Sequence, residues 1–322
     1  DDGSRTPVSE ALADLVLGHP GRLRIVRNPQ PTGVANARNR GLAVVRAPWV
    51  GFCDDDDMWL PTKLRDQLDA AVLASRDADG DAVGWTLSAC VKVDEHLRVF
   101  QRQHVPDPAT VADGILAANL VPGGASSVVA RTDLVRRLGG FDATFSTLAD
   151  WDLWVRLANA SRLAVVDEPL MGYVVQADSM SADTALLAED LDRFLAKHRD
   201  ERLARGVAFD TANWRRYVGD MELRAHRRFA AARNYWGASL RGHPTAWKVG
   251  LVAAVSPRRA RTRLHGARRE RIDEMGLGDF QAWILSAADE ADGMADSQPR
   301  PSARPASGML AVAPFLRSHA IR

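Results

Sequence analysis

A short apolar run that stops at four consecutive aspartates is the feature that most restricts how this chain can fold. Trp49–Cys53 has the length and composition of a buried strand, and Asp54–Asp57 follow it directly. Four adjacent carboxylates repel one another, so the run costs stability unless something relieves the charge. The pattern therefore predicts an α/β sheet in which this strand ends at a polar edge, where open sheets bind their ligands.

Strand-like and helix-like patterns alternate around that run. The predicted strands are 23–26, 49–53, 82–93, 97–100, 125–130 and 164–175. The predicted helices are 34–45, with Thr32 as its N-cap, 61–75, and one that begins near Thr147. This order is typical of an α/β domain, here with a mostly parallel sheet, over residues 1–180. A helical region is expected at 181–280 and a disordered tail, rich in proline and serine, at 290–322.

Composition excludes several classes of protein. The chain has 322 residues, 42 of them basic and 41 acidic, which is a normal globular balance. Its two cysteines, Cys53 and Cys90, lie in apolar runs, so we expect buried thiols rather than disulfides or a cysteine-bound metal. No apolar stretch reaches the roughly 18–20 residues that span a bilayer. No signal peptide opens the chain, and the expected location is the cytoplasm.

Charge is concentrated in one segment of the second half. Residues 222–271 contain 13 Lys or Arg and two Asp or Glu. Such a segment is most often a solvated helical face. The alternative is peripheral contact with anionic lipid at the inner face of the cell membrane. Nucleic acid is not expected as a partner, because no aromatic residues interleave with the arginines of 258–271 and no binding motif is present.

The four aspartates have two interpretations. Mg²⁺ or Mn²⁺ is held in many enzymes by one or two carboxylates together with substrate phosphates, which predicts a cation and a diphosphate at this edge. The alternative is an Asp-rich turn that caps the helix after Pro61. An EF-hand loop is excluded, because its sixth position would be Trp59 instead of glycine.

Four segments together resemble the family 2 glycosyltransferases of GT-A fold. They are 33–41 (GVANARNRG), 49–59 (WVGFCDDDDMW), 139–142 (GGFD) and 150–157 (DWDLWVRL), which follow the family's order and spacing. The resemblance covers residues 1 to about 176. It implies an α/β, Rossmann-like mixed sheet followed by a C-terminal helical region.

The resemblance also assigns roles to individual residues. Asp1 and Asp2 match the acidic residues that bind the base and ribose, and Gly33 and Arg38 match positions near the nucleotide. Asp54 and Asp56 take the Asp-x-Asp positions, with Asp56 favoured as the direct metal ligand and Asp55 directed to the ribose or donor sugar. Asp150 takes the general-base position, although Thr147 and Asp150 could also form a helix capping box. Trp151 and Asp152 are candidates for the acceptor side, and Ala149 stands where the family often has a glutamate.

The implied reaction is the inverting transfer of a sugar from a nucleotide-sugar donor to a hydroxyl of a glycan or lipid-linked acceptor. UDP is the family's commonest nucleotide, and cell-surface polysaccharide is a common product. The resemblance begins part-way through the family's pattern, at the Asp1–Ser4 turn, so the first strand and helix are expected to be missing from this chain. The alternative function is therefore a catalytically inactive fragment or a binding module.

Overall fold

The structure, a computed structural model, describes residues 1–76, 82–94, 96–175, 183–256 and 280–286. Its strands are β1 Trp49–Gly51, β2 Met58–Trp59, β3 Val83–Val93, β4 Val99–Gln103, β5 Val128–Arg131 and β6 Arg162–Val174. Its helices are α1 Val8–Ala11, α2 Ala13–Gly18, α3 Val34–Val44, α4 Lys63–Arg76, α5 Val111–Ala117, α6 Thr132–Arg137, α7 Ala149–Ala160, α8 Thr184–Lys197, α9 Arg199–Ala204, α10 Thr211–Arg224, α11 Arg228–Ser239 and α12 Ala246–Val255. A further helical segment covers 280–286.

One mixed sheet forms the centre of the molecule. Its strand order is β1-β5-β3-β6-β2, and β4 pairs with β3 outside this path. The expected mixed α/β fold is confirmed, but the mostly parallel sheet is wrong for the described residues. Only β3 and β6 pair in parallel there, whereas β1/β5, β3/β5, β3/β4 and β2/β6 are antiparallel. The apolar pattern identifies a strand but carries no information about the direction of its neighbour.

The long helices and strands agree with the sequence prediction, and the short elements do not. β3, β6, α3, α4 and α7 lie within two residues of their expected bounds. The expected strand 23–26 is absent, since its backbone contacts are limited to Asp1, through Val26 O and the amide of Asn28. The first part of the expected strand 125–130 is instead a 3₁₀ turn, Gly124–Ser127, which leads into β5. Cys53 is exposed and only Cys90 is buried, because the chain turns outward after Phe52.

Aromatic residues of α7 and the sheet join the first half of the chain into one core. The Trp154 indole stacks on Trp85 of β3 at 6.4 Å between ring centroids, and Phe52 meets Phe141 edge-on at 5.0 Å. Each such side chain stabilises the fold by roughly 1.5–3 kcal/mol through its burial. The strand before the aspartates, the Gly140 loop and α7 are therefore fixed relative to one another.

The second half of the described chain is helical, as expected. α8 packs on α7, and α10, α11 and α12 pack on one another. Residues 290–322 and the arginine-rich part of 222–271 beyond 256 lie outside the described residues. Within the described residues, we find no helix with the length and apolar character that crossing a membrane requires.

Candidate functional site

The four aspartates divide between the inside and the outside of the molecule. Asp57 is buried, and its carboxylate accepts a hydrogen bond from the amide of Val174 at 3.1 Å. Burial raises the pKa of Asp57 well above its usual value, and the charges of Asp56 and Asp54 add to this effect. Asp57 therefore anchors the turn to the end of β6, while Asp54, Asp55 and Asp56 remain at the surface or partly exposed.

The outward aspartates form a strongly anionic turn. Burial, followed by the charges of Asp55 and Asp54, raises the pKa of Asp56 to about 6. Such crowding favours a bound cation, because a cation offsets the repulsion between neighbouring carboxylates. The Asp54 carboxylate is already paired with the guanidinium of Arg38. Asp56 and Asp55 thus carry the charge that no described side chain neutralises by an ion pair.

The helix α3 supplies two side chains that link this turn to the loop before α7. The Arg38 guanidinium pairs with Asp54 and lies 5.4 Å from the centre of the Phe141 ring. The neighbouring Asn39 binds the backbone of Phe141 twice, accepting from its amide at 2.8 Å and donating to its carbonyl at 2.7 Å. Residues 102 positions apart are held together in this way, so three of the family-like segments form one structural unit.

The Gly140 loop fits against α3 without room for a side chain. Gly140 has φ +69°, and a Cβ built on it would lie 2.4 Å from Asn39 Oδ1. Arg156 of α7 holds the same loop from the other side, donating to the carbonyls of Leu138 at 2.7 Å and Gly140 at 2.8 Å. Because only glycine tolerates both the close approach and the positive φ, this position has no substitute of equal fit.

Asp150 lies in the first turn of α7, close to the Arg38–Asp54 pair. Its carboxylate accepts a hydrogen bond from the amide of Trp151 at 2.7 Å. Burial raises the pKa of Asp150, and the charge of Arg38 opposes this rise. The alternative capping box with Thr147 does not form, since the Thr147 hydroxyl donates instead to Asp190 of α8 at 2.9 Å.

Asp190 fixes the start of α7 from the helical region. It is buried, and besides the Thr147 hydroxyl it accepts from the amides of Thr147 and of Leu148, the latter at 3.2 Å. Arg193, one turn along α8, pairs with its other oxygen at 3.0 Å. The position of Asp150 therefore depends on the helical region as well as on the sheet.

A cavity of about 280 Å³ opens beside Asp150, between the sheet and α10. The turn Gly123–Gly124 forms one wall, and a Cβ on Gly124 would lie 3.8 Å from Asp150 Oδ2. Amide, aromatic and charged side chains form the rest of the lining. They include Gln101, Gln103, Asn119, Tyr173, Trp214, Tyr217, Arg216 and Arg224. Such a mixture of aromatic faces and converging polar groups is typical of a small polar ligand site.

The two acceptor-side candidates of α7 have different surroundings. Trp151 lines the cavity, but its ring is buried, stacks on Phe194 at 4.2 Å and donates to the carbonyl of Ile115 at 2.7 Å. Asp152 does not line the cavity. Its carboxylate is fully buried and paired with Arg156 and Lys197, each at 2.7 Å, and with His198 Nε2 at 3.0 Å. Its pKa is lowered by these partners against the effect of burial, so Asp152 connects α7 to the end of α8.

The N-terminal acidic pair is engaged with the chain itself. The Asp1 side chain is fully buried, pairs with Arg27 and accepts from the amides of Ser4 and Val8. The Asp2 carboxylate accepts from the amides of Thr32 and Gly33, at 2.9 Å and 2.8 Å. Burial acts to raise the pKa of Asp2, but the hydrogen bonds from Asn28, Thr32 and Gly33 together lower it to about 2.

Asp2, rather than Thr32, therefore caps the start of α3. The N-cap residue is Gly33, with φ +90°, and it has no side chain that could form a capping hydrogen bond. Of the two acidic residues, Asp2 lies beside Gly33 at the start of the helix that carries Arg38. Asp1 lies behind it, at the turn that leads to α1.

The arrangement suits a divalent cation that also binds a phosphate group. The part of the chain that the structure describes contains no cluster of three or more His, Cys, Asp or Glu side chains arranged for a metal. Mg²⁺ and Mn²⁺ need only one or two carboxylates when a substrate supplies phosphate oxygens. The crowded carboxylates of Asp54–Asp56 fit that requirement, and among them Asp55 and Asp56 have no arginine partner in the described residues.

Sequence reasoning missed several residues of this site. Ser126, whose hydroxyl accepts from the amide of Asp54 at 3.0 Å, and the Gly123–Gly124 turn lie between the aspartates and Asp150. The string PGGASS at 122–127 is a turn signal and could have indicated a tight loop. Nothing local to α10 shows that Trp214 and Tyr217 face the same cavity, because that contact joins distant parts of the chain.

Comparison with known proteins gives a consistent result. Residues 1–87 match the model of the family described as glycosyl transferase family 2. An uncharacterized glycosyltransferase of Haemophilus influenzae is 23% identical over 190 residues, which cover 58% of this chain and 62% of that protein. The succinoglycan biosynthesis protein ExoU of Rhizobium meliloti is 27% identical over 189 residues, 56% of this chain and 54% of that protein. The chain thus spans less than two thirds of the length of these relatives.

A solved structure of S. aureus TarS 1–349 in complex with UDP is also similar. It is 16% identical, covers 80% of each chain and has a TM-score of 0.42. Another relative, the succinoglycan biosynthesis protein ExoO of Rhizobium meliloti, is 26% identical over 237 residues, 70% of this chain and 64% of that protein.

Proposed function

We propose that the chain, whose residues 1–87 match the family 2 glycosyltransferase model, transfers a sugar, with inversion, from a nucleotide-sugar donor to a hydroxyl group of a glycan or lipid-linked acceptor. The observation that carries the proposal is that Asp150 lines a cavity and lies within electrostatic reach of the Arg38–Asp54 ion pair. This arrangement supplies an anionic turn for a cation and diphosphate, an arginine, and a partly buried carboxylate for the acceptor. The relatives in succinoglycan biosynthesis support a role in cell-surface polysaccharide synthesis.

The donor side is assigned to the first half of the site. Asp56, with Asp54, would hold Mg²⁺ or Mn²⁺, which neutralises the charge of the leaving nucleoside diphosphate when bound. Arg38 is the cation of α3 nearest to this charge and suits a phosphate or base contact. Asp2 and Gly33, with Asp55, would face the nucleoside and donor sugar, and UDP-sugars are the first donors to test.

Asp150 is assigned as the general base. The acceptor oxygen forms a bond to the anomeric carbon of the donor, the bond from that carbon to the diphosphate breaks, and the acceptor's proton passes to Asp150. Burial raises the pKa of Asp150, which strengthens it as a base, while the charge of Arg38 keeps it from becoming neutral too readily. A single displacement needs only this one carboxylate and inverts the configuration of the sugar.

The cavity beside Asp150 is assigned to the acceptor. Trp214 and Tyr217 of α10 offer aromatic faces to a sugar ring, and Gln101, Gln103 and Asn119 offer hydrogen bonds to its hydroxyls. At about 280 Å³ the cavity is at the small end of ligand pockets, so it would enclose the terminal part of a larger acceptor. A lipid-linked acceptor would place the enzyme at the inner face of the membrane, and the basic segment 222–271 supports peripheral contact there.

The proposal is tested by release of UDP from UDP-sugars in the presence of Mn²⁺, with methyl glycosides as acceptors. Asp150→Asn is expected to lower the transfer rate by about 10²–10⁴-fold while UDP binding is retained. Asp192→Asn, an exposed acid of α8, is the control and should keep full activity. Unchanged transfer by Asp150→Asn would reject the mechanism, and absence of both UDP binding and transfer in the unmodified chain would favour the non-catalytic alternative.

A further inference from the structure

The α11–α12 hairpin has its small side chains inside and its large apolar side chains outside. Alanines form most of its buried interior, together with Leu223 and Tyr235. The helices approach closely, since a Cβ on Gly250 would lie 2.8 Å from the Trp236 ring. The exposed large residues are Phe229, Trp236, Leu240, Trp247, Leu251 and Val255, with exposed fractions between 47% and 85%.

This arrangement is the reverse of an ordinary surface helix, in which the large apolar stripe faces the core. Trp247, Leu251 and Val255 follow one another at intervals of four residues and so lie along one side of α12. Trp236 packs against Gly250 beside them, which continues the apolar face from α12 onto α11. A contiguous exposed apolar face of this kind marks a surface that binds something.

The charged side chains of the hairpin itself are of one sign. Residues 223–269 contain no Asp or Glu. Arg233 of α11, Arg241 of the connecting turn and Lys248 of α12 are exposed, and the sequence continues with the arginines of 258–271. A partner that matches this face must therefore be apolar and anionic at once.

We infer that the outer face of the α11–α12 hairpin docks on an anionic lipid bilayer. The two helices have 12 and 10 residues, whereas a helix needs about 20 residues to cross a bilayer. They therefore lie in the plane of the headgroups. Trp236, Trp247 and Leu251 enter the boundary between headgroups and acyl chains, where tryptophan is favoured. Arg233 and Lys248 remain among the lipid phosphates.

Two other occupants fit the face less well. A second copy of the chain would bring one basic face against another without any carboxylate between them. Single-stranded nucleic acid would satisfy the arginines and could stack on Trp236 and Trp247, but it would leave the aliphatic Leu251 and Val255 without an apolar partner. The lipid surface alone satisfies both the aliphatic side chains and the cations.

The test is sedimentation of the full chain with phosphatidylcholine vesicles that contain or lack phosphatidylglycerol. The chain should be retained by the anionic vesicles at low salt and released at high salt. The double change Arg233→Gln/Lys248→Gln should weaken retention about thirtyfold, from about fivefold for each cation near the surface. Leu251→Gln/Val255→Gln should weaken it at least about tenfold. The matched controls Arg199→Gln and Leu203→Gln change exposed residues of α9 and should bind as the unmodified chain does.

Several outcomes would overturn the inference. They are no retention by anionic vesicles, equal retention by the hairpin variants and the controls, preference for single-stranded RNA over vesicles, or a dimer in light scattering that Leu251→Gln/Val255→Gln dissolves. Vesicle binding needs neither donor nor acceptor, so Asp150→Asn should be retained normally. Failure of docking is thereby distinguished from failure of the proposed transfer reaction, which the hairpin variants should still perform without vesicles.

Discussion

Replacing Gly140 by alanine tests whether the loop before α7 is clamped on α3. The added Cβ would lie 2.4 Å from Asn39 Oδ1, and the residue would keep φ +69°. The backbone conformation costs about 1–2 kcal/mol for a residue with a Cβ. Relief of the clash costs a further ~1–3 kcal/mol, either as overpacking or because Asn39 moves and gives up its two bonds to Phe141. The total is about 2–5 kcal/mol of unfolding free energy.

The neighbouring glycine provides a matched control. Gly139 also has a positive φ, +84°, but a Cβ there would meet nothing within 4 Å. Gly139→Ala should therefore cost only the backbone part, about 1–2 kcal/mol. Urea unfolding of both variants, followed by tryptophan fluorescence, measures the difference. Equal destabilisation of the two variants would refute the clamp.

The remaining predictions concern Lys63, a buried residue of α4, and two residues of the helical region, Asp190 and Trp214. Lys63→Met should weaken the pH dependence of stability. Burial lowers the pKa of Lys63 to about 7 in the folded chain, whereas the unfolded chain keeps the proton up to the ordinary pKa near 10.5, so the unfolding free energy of the unmodified chain should rise with pH between these values. The variant's unfolding free energy should rise less, and parallel pH profiles from urea titrations would contradict this. Asp190→Ala should lower the thermal stability and the transfer rate together, because the start of α7 loses its hydrogen-bond partner. The control Asp192→Ala should change neither. If Asp190→Ala has altered stability but the full transfer rate, α7 is positioned without Asp190. Trp214→Ala should raise the KM for the acceptor and leave the KM for the donor unchanged in initial-rate kinetics, and an effect on the donor alone would remove the cavity from the acceptor side.

The sequence predicted secondary structure well where the alternation of apolar and polar residues repeats along a single strand or helix. β3 and α7 were predicted within about two residues, because long apolar runs and helical spacing state the burial of each residue locally. The segments with Arg38, Asp54 and Asp150 were predicted to belong to one site, which stays a prediction. In the structure Arg38 pairs with Asp54, and its charge opposes the rise in the pKa of Asp150 that burial causes.

Contacts between distant elements were not predictable in the same way. The run Asp54–Asp57 is four identical letters, yet Asp57 turns inward to Val174 while Asp54 pairs with Arg38. Asp152 differs from Asp150 by two positions on the helix, which places it on another side, among Lys197 and His198. Which aspartate faces a ligand depends on groups that lie 16, 46 and 117 positions away in the sequence, and no local pattern contains that information.

The clamp around the Gly140 loop has a consequence for how such a chain can change during evolution. Asn39 and Arg156 bind the loop through backbone atoms of Leu138, Gly140 and Phe141, which every amino acid except proline possesses. Mutational drift in the loop's side chains leaves these bonds intact, except at Gly140, whereas loss of either donor breaks them. The constraint is therefore one-sided: among descendants of this chain, the holders of the loop should persist longer than most of the residues that they hold.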